Sequence, residues 1–309
     1  MSYQLRIEET LGEGMRRIVC EQMEGAIAAR SGSRNGKGSP VHETRKHLKK
    51  ARAALRMIAD DVLRQRARRE NRCLRNVARL ISEIRDAEVR LQTLKQLRGL
   101  SPRKKNQNLR ETEELLAFEL DSFLAAFSDW EEEAKTKLNR SRDRIAKWEL
   151  EEVTCQTLGR AVQRSYKSGR QALRGAMKNP TAEEFHSFRK AVKQLWYQLR
   201  ILRPLHAVIF KELGADLKTI GQHLGHAHDL AFLAERLRTA GGTRRKRGGR
   251  ALGALIEARE EELQRMAVTL GERFYAQRPR DFGRRISEYF AEWEIARRRC
   301  SGAATMVAV

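Results

Sequence analysis

The chain has 309 residues, of which 63 are Lys or Arg and 40 are Asp or Glu, so that its formal net charge is +23. Apolar residues form 40% of the sequence and recur at helical spacing, which excludes a wholly disordered chain and allows one large domain or two smaller ones. The positive charge predicts a polyanionic partner, which could be nucleic acid, an anionic membrane surface or a polyphosphate chain.

Cysteine usage and hydropathy predict the compartment. The four cysteines are scattered and form no Cys-x-x-Cys pair, which argues against a zinc site and a disulfide scaffold and favours a reducing environment. The first residues, MSYQLRIEETLGEG, lack the apolar core of a signal peptide, and no run of about eighteen apolar residues suits a membrane-spanning helix. We therefore expect a cytoplasmic protein with no membrane partner.

Hydrophobic periodicity predicts an all-α fold, because no segment requires a strand. Ser39, which precedes a proline, and Thr181 have the pattern of helix N-caps. The segments 31–39 and 241–249 are predicted loops, and 300–309 a disordered tail. The predicted helices lie at about 8–30, 40–60, 63–98, 103–138, 142–178, 181–203, 206–238, 248–277 and 281–299.

The helix predicted at 40–60 has a basic face and an apolar face. Successive helical residues advance by about 100°, so its cations fall within an arc of about 120°, with Leu48, Leu55 and Ile58 on the opposite side. The basic face consists of His42, Arg45, Lys46, Lys49, Arg52 and Arg56.

This segment is repeated later in the chain. VHETRKHLKKARAALRMI at 41–58 aligns without a gap to FHSFRKAVKQLWYQLRIL at 185–202, and both contain His-x-x-Arg-Lys-x-x-Lys. The helix that follows each copy also aligns, which places Asp86 opposite Asp229 as predicted partners of Arg or Lys side chains. The second basic face consists of His186, Arg189, Lys190, Lys193 and Arg200.

The duplication predicts two pseudo-symmetric four-helix bundles, residues 1–140 and 141–309, with a basic central groove between them. A basic face that almost excludes acids is destabilised by repulsion unless an anion offsets it, and its repetition therefore points to a ligand. Arg and Lys both suit phosphate oxygens.

These motifs resemble the CHAD family, an α-helical domain with characteristic histidines. The resemblance rests on the His-x-x-Arg-Lys-x-x-Lys helices that begin at His42 and His186 and on the segments IRDAEV and AHDLAF, and it spans about residues 8 to 299. It implies two four-helix bundles around a basic central groove that binds inorganic polyphosphate. Many such proteins are fused to a CYTH-type triphosphate tunnel domain, whose β-barrel and Glu-x-Glu-x-Lys strand are not found in this sequence.

The resemblance extends the expected polyphosphate-binding set to residues outside the two basic faces. Trp196 stands at the position equivalent to Arg52, which predicts that the second half of the chain binds polyphosphate more weakly. The expected set is His42, Arg45, Lys46, Lys49, Arg52, Arg56, His186, Arg189, Lys190, Lys193 and Arg200, extended by Arg75, Arg79, Lys218, Tyr166 and Arg170.

Other functions remain alternatives at this stage. Nucleic-acid binding through the same basic surface is the main one, although aromatic residues that could stack on bases form only 6% of the chain. Association with polyphosphate granules is compatible with polyphosphate binding. The cluster His223, His226 and His228 could bind a metal or an anion, but ordinary helix positions are the preferred interpretation. No P-loop or nucleophile elbow is present, and we expect no catalytic residue and no cofactor.

Overall fold

The structure is a computed structural model that describes residues 3–29, 39–59, 63–100, 106–127, 129–239 and 247–306. Every regular element in these ranges is helical, which confirms the all-α prediction. A 3-10 turn, Arg203–Leu205, follows the eighth helix. The α-helices are α1 Leu11–Ala28, α2 Pro40–Met57, α3 Arg64–Leu80, α4 Ser82–Leu100, α5 Asn106–Ala126, α6 Trp130–Ala146, α7 Cys155–Lys178, α8 Ala182–Ile201, α9 Ala207–Thr239, α10 Arg247–Phe274 and α11 Pro279–Met306.

Two predicted long helices are divided in the structure. The segment 63–98 forms α3 and α4, because the backbone leaves helical geometry at Ile81, where φ is −112° and ψ is 16°. The segment 103–138 forms α5 and the first part of α6. Ile81 is a buried apolar residue on the core-facing side of the predicted helix. The helical spacing of apolar residues therefore continues through the break, and the sequence pattern does not indicate it.

The ends of the other predicted elements also differ. Residues 147–154, predicted as helical, connect α6 to α7, whose first turn is capped by the Thr154 side chain accepting a hydrogen bond from the Thr157 backbone N–H at 3.2 Å. The backbone of 300–306 is helical where a disordered tail is predicted. The predicted loop residues 31–38 and 241–246 and the tail residues 307–309 lie outside the described residues. The predicted boundary between residues 140 and 141 falls within α6.

The starts of the two basic helices are fixed as predicted. Ser39 Oγ accepts a hydrogen bond from the His42 backbone N–H at 3.1 Å, and a proline occupies the first turn of α2. Thr181 Oγ1 accepts one from the Glu184 backbone N–H at 3.3 Å at the start of α8. Each cap therefore sets the helix position at which the first histidine of the basic face emerges.

The apolar faces of α2 and α8 lie in the same hydrophobic core. Leu48 and Leu55 of α2 and Val192 and Leu195 of α8 are each no more than 1% exposed. The two helices contact each other directly, while α1 packs on α2, and α7 and α9 pack on α8. The basic faces of both helices are therefore held side by side by the burial of their opposite faces.

Within the part of the chain that the structure describes, no helix is both long enough and apolar enough to cross a bilayer.

Alanine substitutions at Gly12 and Gly214 test the packing, because they are expected to change the free energy of unfolding in opposite directions. A Cβ at Gly12 would overlap the carbonyl oxygen of Leu150, so Gly12→Ala should lower the free energy of unfolding by about 1–3 kcal/mol or more. A Cβ built at Gly214 inside α9 would meet no atom within 4 Å apart from its own stretch of helix, so Gly214→Ala should raise the free energy of unfolding by about 0.5–1 kcal/mol. Urea unfolding followed by circular dichroism measures both, and destabilisation by Gly214→Ala would contradict this packing.

Candidate functional site

Five cationic side chains from three helices converge where α2 meets α8. Arg45 and Lys49 belong to α2, Arg189 and Lys193 to α8, and Arg85 to α4. Each of the other four acts electrostatically on Lys49. We call these five residues the cation cluster.

Lys49 lies at the centre of the cation cluster. Its side chain is open to solvent, yet burial is the largest cause that lowers its pKa to about 7, followed by the positive charges of Arg189 and Arg45. We infer from these two observations that the ammonium group lies in a recess. Water can reach it there, although protein atoms replace most of the bulk solvent around it. The recess makes Lys49 accessible to a ligand and poorly hydrated without one.

Lys193 occupies the equivalent position on α8 and shows the same effect. Burial lowers the pKa of Lys193 to about 8, and the charges of Arg189 and Lys218 lower it further. Its Nζ lies 4.9 Å from the ring centroid of Trp196, and the Arg200 guanidinium carbon lies 5.0 Å from the same centroid. Trp196, which stands where the first copy has an arginine, therefore positions two cations by cation–π interaction.

Two glycines of α9 make room for the α8 cations. A Cβ built at Gly221 would lie 3.1 Å from Nζ of Lys193, and one built at Gly225 would lie 3.8 Å from Nε of Arg189. These glycines are four residues apart and therefore share one face of α9. The Lys193 and Arg189 side chains pass close over this face.

Arg189 is enclosed by histidines as well as by cations. Its Nε is buried and has no hydrogen-bond partner among the described residues, and the same holds for Nδ1 of His186. The His186 ring lies 4.8 Å from the His228 ring between centroids. Burial, then Arg189 and His186, lower the pKa of His228 to about 4, so this ring is neutral at physiological pH.

Asp86 and Asp229 lie beside the cation cluster. Burial raises the pKa of both carboxyl groups, while Arg45 is the main opposing charge for Asp86 and Arg189 for Asp229. Among the described residues neither carboxylate has an ion-pair partner within 4.0 Å. Direct pairing of these carboxylates with Arg or Lys side chains therefore stays a prediction, and the two acids offset only part of the cluster's charge.

A cleft of about 600 Å³ opens next to the cation cluster, between α2, α4, α5 and α9. His42, Arg85, His226 and Asp229 contribute to its lining. Burial and then the charge of Arg85 lower the pKa of His42, although Glu43 opposes the shift. The cleft therefore places these polar side chains beside the cluster along α4 and α9, together with apolar side chains such as Leu91.

Four of the remaining predicted cations have partners of their own: Lys46, Arg52, Arg56 and Arg200. Lys46 Nζ lies 2.8 Å from Glu43, Arg52 Nε donates to Asn71 at 2.8 Å, and Arg56 donates to Gln194 at 2.6 Å. Arg200 also lies over the ring of Tyr3, with 5.5 Å between its guanidinium carbon and the ring centroid. Four further predicted cations have exposed side chains: Arg75, Arg79, Lys190 and Lys218.

The structure contradicts the predicted role of Tyr166 and gives none to Arg170. Tyr166 is fully buried and stacks on Phe282 with 4.0 Å between ring centroids, and its hydroxyl donates to backbone carbonyls at 3.1 Å. It is a core residue that a ligand cannot reach. Arg170 lies near the Tyr166 hydroxyl, and no interaction among the described residues links it to the cation cluster.

Arg85 and His228 were missed by sequence reasoning. They occupy aligned positions, each directly before the aspartate that the two copies share. The signal that could identify them is this alignment, because the residue before each shared aspartate is a potential cation in both copies. Arg45 with Arg189, and Lys49 with Lys193, are likewise aligned pairs that meet in the cluster, although the duplication itself stays a prediction.

The histidines near the middle of α9 do not form one group. His228 faces His186, whereas His223 interacts electrostatically with His226 and Arg259. Within the described ranges no group of at least three His, Cys, Asp or Glu side chains is placed to hold a metal ion.

The chain is similar to a known protein family and to a solved structure. A family model described as CHAD domain matches residues 17–238. The crystal structure of the CHAD domain from the plant Ricinus communis is 15% identical in sequence, with a TM-score of 0.58, and the match covers 89% of this chain and 95% of that one. Similarity at this identity shows the fold. No curated protein matches the sequence.

The lowered pKa of Lys49 can be measured directly. In protein whose lysines carry ¹³C-methyl groups, nuclear magnetic resonance should show a signal that titrates near pH 7, and Lys49→Arg should remove it. Arg189→Met should move that pKa upward, because Arg189 is the strongest of the neighbouring charges, whereas Arg203→Met at an exposed remote position should not. A Lys49 signal titrating near the ordinary value of about 10.4 would contradict the convergence of these cations.

Proposed function

The chain belongs to the CHAD domain family, and from that premise we propose that it binds inorganic polyphosphate through the cation cluster and a groove that continues from it. The observation that carries the proposal is the convergence of four cations around Lys49, a solvent-accessible lysine whose pKa is lowered to about 7. Positive charge held in a partly desolvated recess is unfavourable in the free protein. A polyanion relieves that repulsion and so gains affinity from it.

The chemistry of the cluster suits phosphate. Arg45, Arg85 and Arg189 offer planar N–H groups that match phosphate oxygens, and Lys49 and Lys193 add compact charges between them. An anion close to these lysines favours their protonated forms and raises their lowered pKa values. Binding needs no bond to break, so the proposed role is recognition without catalysis.

The length of the basic surface favours an extended ligand. From His42 to Arg56 the α2 backbone rises by about 21 Å at about 1.5 Å per residue, and cations recur on one face over that distance. A single phosphate would occupy only a small part of this row. A chain with regularly spaced charges can contact successive turns of the helix. Such contacts would also allow the protein to attach to polyphosphate granules in the cytoplasm, which is part of the proposal.

Nucleic acid is the second candidate, favoured by the net charge of +23. Single-stranded binders usually provide exposed aromatic rings on which bases stack. Near the cation cluster Tyr197 is buried at 7% exposure, and the Trp196 ring packs against Tyr197 and lies beneath Lys193 and Arg200. These aromatic rings already have partners, which supports polyphosphate over nucleic acid as the ligand.

Charge reversal at the centre of the cluster tests the proposal. Lys49→Glu with Lys193→Glu should weaken the binding of long-chain polyphosphate by about 100-fold or more, because two cations at the centre become repulsive to the ligand. Isothermal titration calorimetry at near-physiological salt measures the change in Kd.

The matched control changes net charge equally at a distance from the cluster. Lys147→Glu with Lys211→Glu alters two exposed lysines outside the cluster and should weaken binding by less than about threefold. Thermal melts followed by circular dichroism establish that both double variants are folded. Equal losses in the two variants would mean that the overall field attracts the anion and that the cluster does not recognise it.

A further inference from the structure

A second polar recess lies on a different flank of α8, where α2, α7 and α8 meet. Its volume is about 410 Å³, within the usual range for small-molecule sites of about 300–1,000 Å³. No acidic side chain is among its lining residues. We call it the serine pocket, and its polar lining includes Arg56, Arg164, Ser165, Ser168, Ser187 and Lys190.

The three serine hydroxyls of the pocket have unused hydrogen-bonding capacity. A helical serine or threonine often donates to the carbonyl four residues earlier, as Ser122 does to Phe118 and Ser287 to Gly283. Ser165, Ser168 and Ser187 form no such bond with any described residue. All three hydroxyls are therefore available to a ligand in the pocket.

The three cations of the pocket are also available. Arg164 and Lys190 form no ion pair with a described residue. Arg56 is held in place by donating to Gln194 Oε1 at 2.6 Å, while Gln194 Nε2 donates to the Ala53 carbonyl at 3.4 Å. Its other N–H groups have no partner among the described residues. Charge and hydroxyl donors thus face the same recess with no carboxylate to offset them.

We infer that the serine pocket is a separate site for a compact phosphate group, of the class of pyrophosphate or the terminal phosphate of a chain. A terminal phosphoryl group has three strong acceptor oxygens, which match a pocket that offers hydroxyl donors on one side and cations on the other. An internal phosphate of a chain has fewer free oxygens. The inference goes beyond the proposed function, because the pocket lies apart from the cation cluster and adds Arg164 and the serines to Arg56 and Lys190, which belong to the predicted polyphosphate-binding set.

Pyrophosphate is the probe that tests the pocket, by calorimetric titration of the full chain. Ser165→Ala with Ser168→Ala should weaken pyrophosphate binding by about tenfold or more, because two hydrogen bonds to a charged ligand are lost. Alanine suits a helix interior, so the fold should be retained. Ser122→Ala, which removes a hydroxyl already bonded to its own helix, is the matched control and should leave the affinity unchanged.

A second pair of variants separates this inference from the polyphosphate proposal. Lys49→Met with Lys193→Met should weaken long-chain polyphosphate and leave pyrophosphate affinity within about threefold if the pocket is a site of its own. Long-chain polyphosphate titrated into the double serine variant then identifies the source of the phosphate: a reduced affinity indicates chain ends, and an unchanged one indicates a free short phosphate. Unchanged pyrophosphate affinity in the double serine variant would overturn the inference, as would its loss in the double lysine variant alone.

Discussion

The packing of α2 against α8 brings like charges together at the surface of a shared core. Leu48 and Val192 are buried on the inner faces of these helices, and the same helical geometry directs Lys49 and Arg189 into one recess. Burial of the apolar faces stabilises this arrangement, while the mutual repulsion of the cations destabilises it. The free protein therefore holds an electrostatic strain that a polyanion can relieve.

Neighbouring elements adapt to this constraint. Gly221 and Gly225 keep the facing surface of α9 low enough for Lys193 and Arg189 to cross it, and Trp196 places its ring under Lys193 and Arg200. Asp86 and Asp229 remain at longer range, so they moderate the charge without neutralising it. The surroundings thus preserve a positive recess in place of the ion pairs seen elsewhere, such as Arg144 with Glu70 at 2.7 Å.

The basic residues of the two repeated motifs divide between the cation cluster and the serine pocket, which differ in chemistry. Arg45, Lys49, Arg189 and Lys193 converge, whereas Arg56 and Lys190, which belong to the same sequence motifs, line the serine pocket with residues of α7. A linear basic stripe in the sequence therefore becomes two polar surfaces on different flanks of α8.

Much of the fold and the centre of the site could be predicted from the sequence. The all-α fold, the caps at Ser39 and Thr181 and four members of the cation cluster followed from periodicity and from the repeated motif. The break at Ile81 could not, because an apolar residue continues the helical pattern there. Tyr166 was wrongly assigned, since a tyrosine next to basic residues in sequence can still turn its ring into the core.

The most direct test of the central claim is a calorimetric comparison of ligands with equal charge concentration. Long-chain polyphosphate, single-stranded DNA and duplex DNA would each be titrated into the wild-type protein at near-physiological salt, where non-specific attraction is partly screened. We predict that polyphosphate binds at least about tenfold more tightly than either DNA, because the recess fits closely spaced phosphates and offers bases no free stacking surface. Equal affinity, or a preference for DNA, would contradict the account and make nucleic acid the primary ligand.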